Sequence, residues 1–324
     1  MPEITFREAI RQALREEMEQ DDRVFLIGED IGAYGGTYAV TRGFLDTFGE
    51  RRVVDAPIAE AGIVGTAVGA AMAGLRPVAE MMSVNFTLLA LDQIVNNAAK
   101  IHSMFGGHFT APLVIRINTG FGQLAATHSQ NFDPYFAYIP GLKVVSPGTP
   151  YDAKGLLKRA IKDLDPVIYL EHGALYNLRG EVPEGEYDLP LGRADIKREG
   201  SDITIVTHSR MLQVSLRAAE RLAAEGIDCE VVDLRSLRPI DTETILDSFK
   251  KTNRALIAEE AWRTCGLGAE IAARIQEEGF DYLDAPIGRV AMPEVPLPYA
   301  RELERAAIPD EEDVIRGVHE VLGK

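Results

Sequence analysis

Glu60 opens a run, EAGIVGTAVGAAMAGL, with no further charge before Arg76. A carboxylate at the edge of a stretch composed for burial must find a partner, keep a proton or stay at the surface, because an unpaired buried charge is costly. Standing shortly after Pro57, it would also suit the first turn of a helix, where the dipole favours negative charge and no chemistry follows. The next residues argue for more. Gly62, Gly65, Gly69 and Ala73 are spaced 3, 4 and 4, which aligns them on one helix face and lets another backbone approach closely, within the chain or across a subunit contact. Such packing would desolvate Glu60, the condition under which a carboxyl group relays protons.

Four further residues could carry chemistry. The run NTGFGQLAATHSQ places Gly120, Gly122 and Ala125 at G-x-G-x-x-A spacing. No clean amphipathic helix opens there and no acidic residue lies about 20 positions on, so a dinucleotide fingerprint is rejected. The loop still ends on His128, either placed against a ligand by permissive glycines or bonded to nearby backbone. Phe86 stands just past a strand, facing a crevice or stapling its own helix. Glu29 and Asp30 end the first strand and either join that crevice or lie in a solvated loop. The other histidines show no metal-ligand spacing.

These residues need a scaffold, and the chain is long enough for two domains. It has 324 residues, 46% of them hydrophobic. Its 34 basic and 50 acidic residues leave a net charge of −16. That disfavours nucleic acid and anionic membranes and favours a basic protein partner. Two cysteines, Cys229 and Cys265, lack any framework spacing and are read as buried packing residues in a reducing compartment. No signal peptide or membrane span is evident, so the expected location is the cytoplasm.

Short β-rich runs alternate with helical patterns: VFLIG, RVVDA, PVAEM, LVIRI, LKVVS and PVIYLE, then DITIVTH, CEVVDLR and RALIAEE. This implies α/β architecture with two largely parallel sheets in series. The expected domains are 1–175 and 201–324, joined by a Pro- and Gly-rich linker over 176–200. Thr5 and Glu8 at capping-box spacing start an N-terminal helix with Phe6, Ile10, Leu14 and Met18 on one face. FTLLALDQIVNNAAKIHSMF (86–105) is expected as one helix, with Leu89, Ile94, Ala98 and Ile101 toward a core.

Long ordered blocks, LIGEDIGAYGGTY, VVDAPIAEAGIVGTAVGAAMAGLRPVAE, NFTLLALDQIVNNAAK, HSQNFDPYFAYIPGLKVVSP and PEVPLPYA, make the whole chain resemble one family. It is the beta subunit of the decarboxylating first component of 2-oxo acid dehydrogenase complexes, in the transketolase-like superfamily. The resemblance implies a pyrimidine-binding domain for thiamine diphosphate followed by a transketolase C-terminal-like domain concerned mainly with assembly. It implies that Glu60 hydrogen-bonds the aminopyrimidine N1′, that Phe86 packs on that ring, that Glu29 serves proton communication near the cofactor, and that His128 assists acyl transfer to a lipoyl group. A potassium ion held by oxygens of Leu113, Ala160, Ile161, Asp163 and Asp165 is implied by some relatives.

The chain has no G-D-G triplet of the kind that holds Mg²⁺ and diphosphate, and Asn96 and Asn97 are read as helix-surface residues. The resemblance therefore implies an alpha subunit that supplies that half of the site in an alpha2beta2 heterotetramer. It also implies docking to the lipoyl and peripheral-subunit-binding domains of an acyltransferase core. MSVNF (82–86), where branched-chain members tend to carry F-A-D-Y, tilts the substrate toward pyruvate, with acetoin and branched-chain oxo acids as alternatives. A non-catalytic scaffolding subunit is the reading from another class.

Overall fold

The structure, a computed structural model, describes residues Met1 to Lys324 as two compact units. The first comprises Met1–Thr119 and Tyr135–Leu191; the second comprises Gly120–Pro134 and Gly192–Lys324.

The first unit contains β1 (Glu3–Thr5), β2 (Val24–Gly28), β3 (Val53–Asp55), β4 (Arg76–Met81), β5 (Val114–Thr119), β6 (Lys143–Val145), β7 (Val167–His172) and β8 (Arg179–Glu181). Its sheet runs β6-β7-β5-β4-β2-β3 with every pair parallel. Strands β2, β5 and β7 are buried on both faces, so they read as continuous runs rather than alternations. The helix Phe6–Gln20 is capped by the Thr5 hydroxyl, which accepts the Glu8 N–H. It buries Phe6, Ile10, Leu14 and Met18 in the same core as Leu156 and Leu157 of the helix Pro150–Lys162. Each such side chain contributes about 1.5–3 kcal/mol by leaving water.

The expected helix over 86–105 is instead broken into a 3₁₀ segment Val84–Ala90, a π-helical turn Gln93–Ala98 and a short helix Ile101–Met104. Ile94, Ala98 and Ile101 are buried, but Leu89 is 64% exposed, which corrects its placement in the core. Changing from three to five residues between bonded groups rotates successive side chains away from a 3.6-residue stripe. The stretch read as a linker carries structure: β8 pairs antiparallel with β1, and residues beyond Leu191 belong to the second unit.

The second unit contains β9 (Asp195–Arg198), β10 (Ile203–Thr207), β11 (Cys229–Asp233), β12 (Ser236–Arg238), β13 (Ala255–Trp262) and β14 (Gly288–Met292). Its five-stranded sheet has the order β14-β13-β10-β11-β9, with only β9 antiparallel to its neighbour. The chain leaves β10 toward β11 and returns to the other side of β10 as β13. Helices Ser209–Ala224 and Glu311–Leu322 close a core with Ile203, Ile205, Val231 and Leu256. Cys229 lies in that core, where burial pushes its thiol up to about 12. Cys265 is exposed, contrary to its reading as a packing residue; it takes a left-handed φ of 57°, in the loop that follows β13. No helix is long and apolar enough to cross a membrane.

Candidate active site

The carboxyl ends of β2, β3 and β4 point the same way because those strands are parallel, and the first unit's candidate residues gather at that edge. Glu60 is the first residue of the helix Glu60–Met72, entered directly from β3. It is 8% exposed, and its carboxylate has no hydrogen bond or ion pair within the chain. The helix N-terminus compensates part of its charge, yet its acceptor capacity is unspent, as suits a ligand that brings a donor. Glu29 follows β2. Burial first, then the charges of Asp30 and Glu60, hold its carboxyl above the usual range, which places the two glutamates in each other's field.

Asp55, at the end of β3, was not singled out from sequence. Its carboxylate accepts the Gly32 N–H at 2.6 Å and the Ala33 N–H at 3.1 Å, fixing the loop that follows Glu29. A Cβ at Gly32 would come within 2.6 Å of Asp55 Oδ2, so glycine is required by this close approach. Phe86 lies half-buried in the 3₁₀ segment after β4, its N–H donating to Ser83 O at 3.1 Å.

A second group missed from sequence crosses the middle of the sheet. Arg116 on β5 donates to Glu80 on β4 at 2.7 Å and to both oxygens of Glu171 on β7 at 2.6 and 2.9 Å. The Tyr176 hydroxyl adds a bond to Glu171 at 2.9 Å. Burial outweighs Arg116 and leaves the Glu80 carboxyl raised. Removing one partner from such a buried set costs about 3–5 kcal/mol, so it locks three strands behind the loop that carries Glu29.

His128 belongs to the second unit. It ends a single helical turn, Ala125–His128, and is half-buried. The potassium set collects around the end of the helix Pro150–Lys162. The carbonyls of Ile161 and Asp163 accept Arg76 Nη1 at 2.7 and 3.1 Å, and Leu113 O accepts the Val167 N–H at 2.9 Å. Ala160 O accepts the Asp163 N–H at 3.2 Å. The carboxylates of Asp163 and Asp165 both reach Lys143 Nζ, at 2.7 and 3.0 Å. Each carbonyl keeps a second lone pair. Arg76 and Lys143 had not been attached to this set from sequence.

Residues 2–178 match the transketolase pyrimidine binding domain and residues 192–314 the transketolase C-terminal domain. A protein of Rickettsia felis named pyruvate dehydrogenase E1 component subunit beta is 51% identical over 320 residues, 98% of each chain. The mitochondrial protein of that name from Saccharomyces cerevisiae is 50% identical over 98% of this chain and 89% of its own. The chain belongs to the pyruvate dehydrogenase E1 beta-subunit family. Among solved structures, this E1 beta-family chain superposes on a split-gene transketolase, described as an inactive beta4 tetramer, with a TM-score of 0.80 and 26% identity over 99% of this chain and 98% of the other.

Thiamine diphosphate is the cofactor of this E1 beta family, and the first unit fits its aminopyrimidine half. Glu60 is 8% exposed and its carboxylate makes no hydrogen bond within the chain, and a half-buried aromatic, Phe86, stands at the same sheet edge. The side-chain N–H groups of Asn96 and Asn97 donate to Asp92 at 2.8 Å and to Gln93 at 3.0 Å within the π-helical turn, where Asn96 is exposed and Asn97 half-buried.

Proposed function

We propose that this chain is the beta subunit of a thiamine diphosphate-dependent pyruvate dehydrogenase, decarboxylating pyruvate and passing the acetyl group to a lipoyl domain, with its active site shared with an alpha subunit. The observation that carries the reading is Glu60, buried and without a partner at the start of its helix. Thiamine diphosphate, when bound, would supply the nucleophilic carbon and the electron sink that decarboxylation of a 2-oxo acid needs. Glu60 would hold the aminopyrimidine nitrogen and the proton shared with it. Phe86 packs on the ring. Glu29, raised by burial and by the negative charge of Asp30 and Glu60, exchanges protons with this region. His128 assists acetyl transfer.

The alpha subunit supplies the diphosphate and Mg²⁺ half, in an alpha2beta2 assembly. The glycine face supports this. Gly62 and Gly69 are exposed, a Cβ at Gly69 would meet nothing within 4 Å, and Ile58, Leu88 and Leu89 nearby in sequence are also exposed. The acidic surface suits a basic peripheral-subunit-binding domain of an acyltransferase core. Potassium is proposed on the remaining lone pairs of Leu113, Ala160, Ile161, Asp163 and Asp165. A cytoplasmic location accords with this reading.

The test is dye-coupled oxidation by this chain mixed with its alpha partner, cofactor and Mg²⁺, offering pyruvate, acetoin and 3-methyl-2-oxobutanoate. Pyruvate should be preferred, and neither chain alone should turn over. Glu60→Gln should abolish decarboxylation while the assembly sediments unchanged. Normal turnover by that variant would remove Glu60 from the mechanism, and inactivity on all three substrates would favour a scaffolding subunit.

A further inference from the structure

The segment Gly120–Pro134 is strained and held at both ends. Gln123 and Ala125 have left-handed φ values of 57° and 63°, conformations that are unfavourable for non-glycine residues and persist only when the surroundings enforce them. The Gln123 N–H donates to Glu304 Oε1 at 2.9 Å, and Glu304 is buried in the helix Arg301–Ala307. The Phe121 ring lies 4.9 Å from the Arg210 guanidinium, which Glu260 holds at 2.8 Å. Phe121 also packs against Met292, Leu297, Ala307 and Ile308. At the other end Asp133 Oδ2 meets His208 Nε2 at 2.8 Å, with both side chains buried. His208 follows β10 directly. Its burial favours the neutral ring, but the bond to Asp133 and the negative charges of Asp133, Glu259 and Asp233 outweigh that and keep it protonated more readily than a free histidine. Asp133 and Glu304 flank His128 in these contacts, and nothing else in the second unit gives Asp133 a side-chain partner: its Oδ1 is buried and unbonded.

We propose that His208 and Glu304 of the second unit are positioning residues for His128, clamping the two ends of its loop so that the imidazole is presented for acetyl transfer. This gives the second unit a part in the chemistry besides assembly, and it rests on the reading of His128 given above. A charge-paired buried bond is well suited to such a clamp because it is directional and costly to leave half made.

The experiment uses the assembled enzyme and two rates, dye-coupled decarboxylation and acetylation of a lipoylated domain. His208→Leu should lower the ratio of acetylation to dye-coupled rate about tenfold to a hundredfold, the penalty of a misplaced group. His208→Gln, whose Nε2 can still donate to Asp133, should recover most of that ratio, and Glu304→Ala should repeat the loss independently, which serves if His208→Leu fails to assemble. An unchanged ratio in both loss variants, or a parallel fall in both rates without recovery by Gln, overturns the clamp. His128→Ala runs alongside: if its acetylation is normal, it is the reading of His128 that fails, and if it is impaired while the two clamp variants are normal, only the clamp does.

Discussion

Glu29 shows how a single residue's environment reaches stability as well as function. Burial, then Asp30 and Glu60, raise its carboxyl pKa, so the folded chain holds that proton more tightly than the unfolded chain does. The group's contribution to stability is complete below the ordinary glutamate range and is lost as pH rises through the elevated value. Glu29→Gln removes that loss. Its melting temperature should exceed the parent's at about pH 7 and the gap should close toward about pH 4, where the parent's Glu29 is largely protonated in the folded and the unfolded chain alike. A gap equal at both pH values would show that packing, not charge, is responsible. At this scale the sequence revealed residues that break their local context: Glu60 before an apolar run, His128 after glycines. Asp55, Arg116 and the pair of Asp133 with His208 have ordinary contexts, and their partners lie 23, 36 and 75 positions away, so only the folded chain brings them together.

Elements were legible where one local rule governed them. The helix Phe6–Gln20 follows from its Thr5 cap and its apolar stripe, and the buried strands follow from their β-branched runs. Residues 84–104 defied the same logic because 3₁₀ and π-helical turns share residue preferences with α-helices while turning side chains differently. Antiparallel β1, β8 and β9 are too short to show alternation. The end of the helix Pro150–Lys162 depends on a residue outside it, since Arg76 bonds the Ile161 and Asp163 carbonyls. Arg76→Ala leaves those carbonyls without a charged donor, and a loss of about 2–3 kcal/mol in urea unfolding is expected. Potassium chloride, compared with sodium chloride at equal ionic strength, should restore part of it if the same oxygens take the ion. No difference between the salts would count against a potassium site there.

For the whole molecule, the question is how much of a cofactor site one chain can hold. The first unit offers a carboxylate without a hydrogen bond in the chain and an aromatic at one sheet edge, backed by an ion-pair network across the middle strands, but no G-D-G triplet. Without compensation for the diphosphate, the aminopyrimidine contacts must offset the loss of translational and rotational freedom alone. The chain's net charge of −16 further opposes an anionic ligand. Calorimetric titration of the isolated chain with thiamine diphosphate and Mg²⁺ should therefore show binding weaker than about 1 mM, roughly the −4 kcal/mol that a few contacts can leave after those costs. Adding the alpha partner should tighten it at least about a hundredfold if, as proposed, that partner brings the ligands of the diphosphate and metal. The same titration on Glu60→Gln in the assembly should still bind cofactor, since an amide can hydrogen-bond the ring although it cannot share the proton. Micromolar binding by the isolated chain would instead mean that it completes the site by itself, most simply as a homo-oligomer, and the two-chain assembly would have to be abandoned.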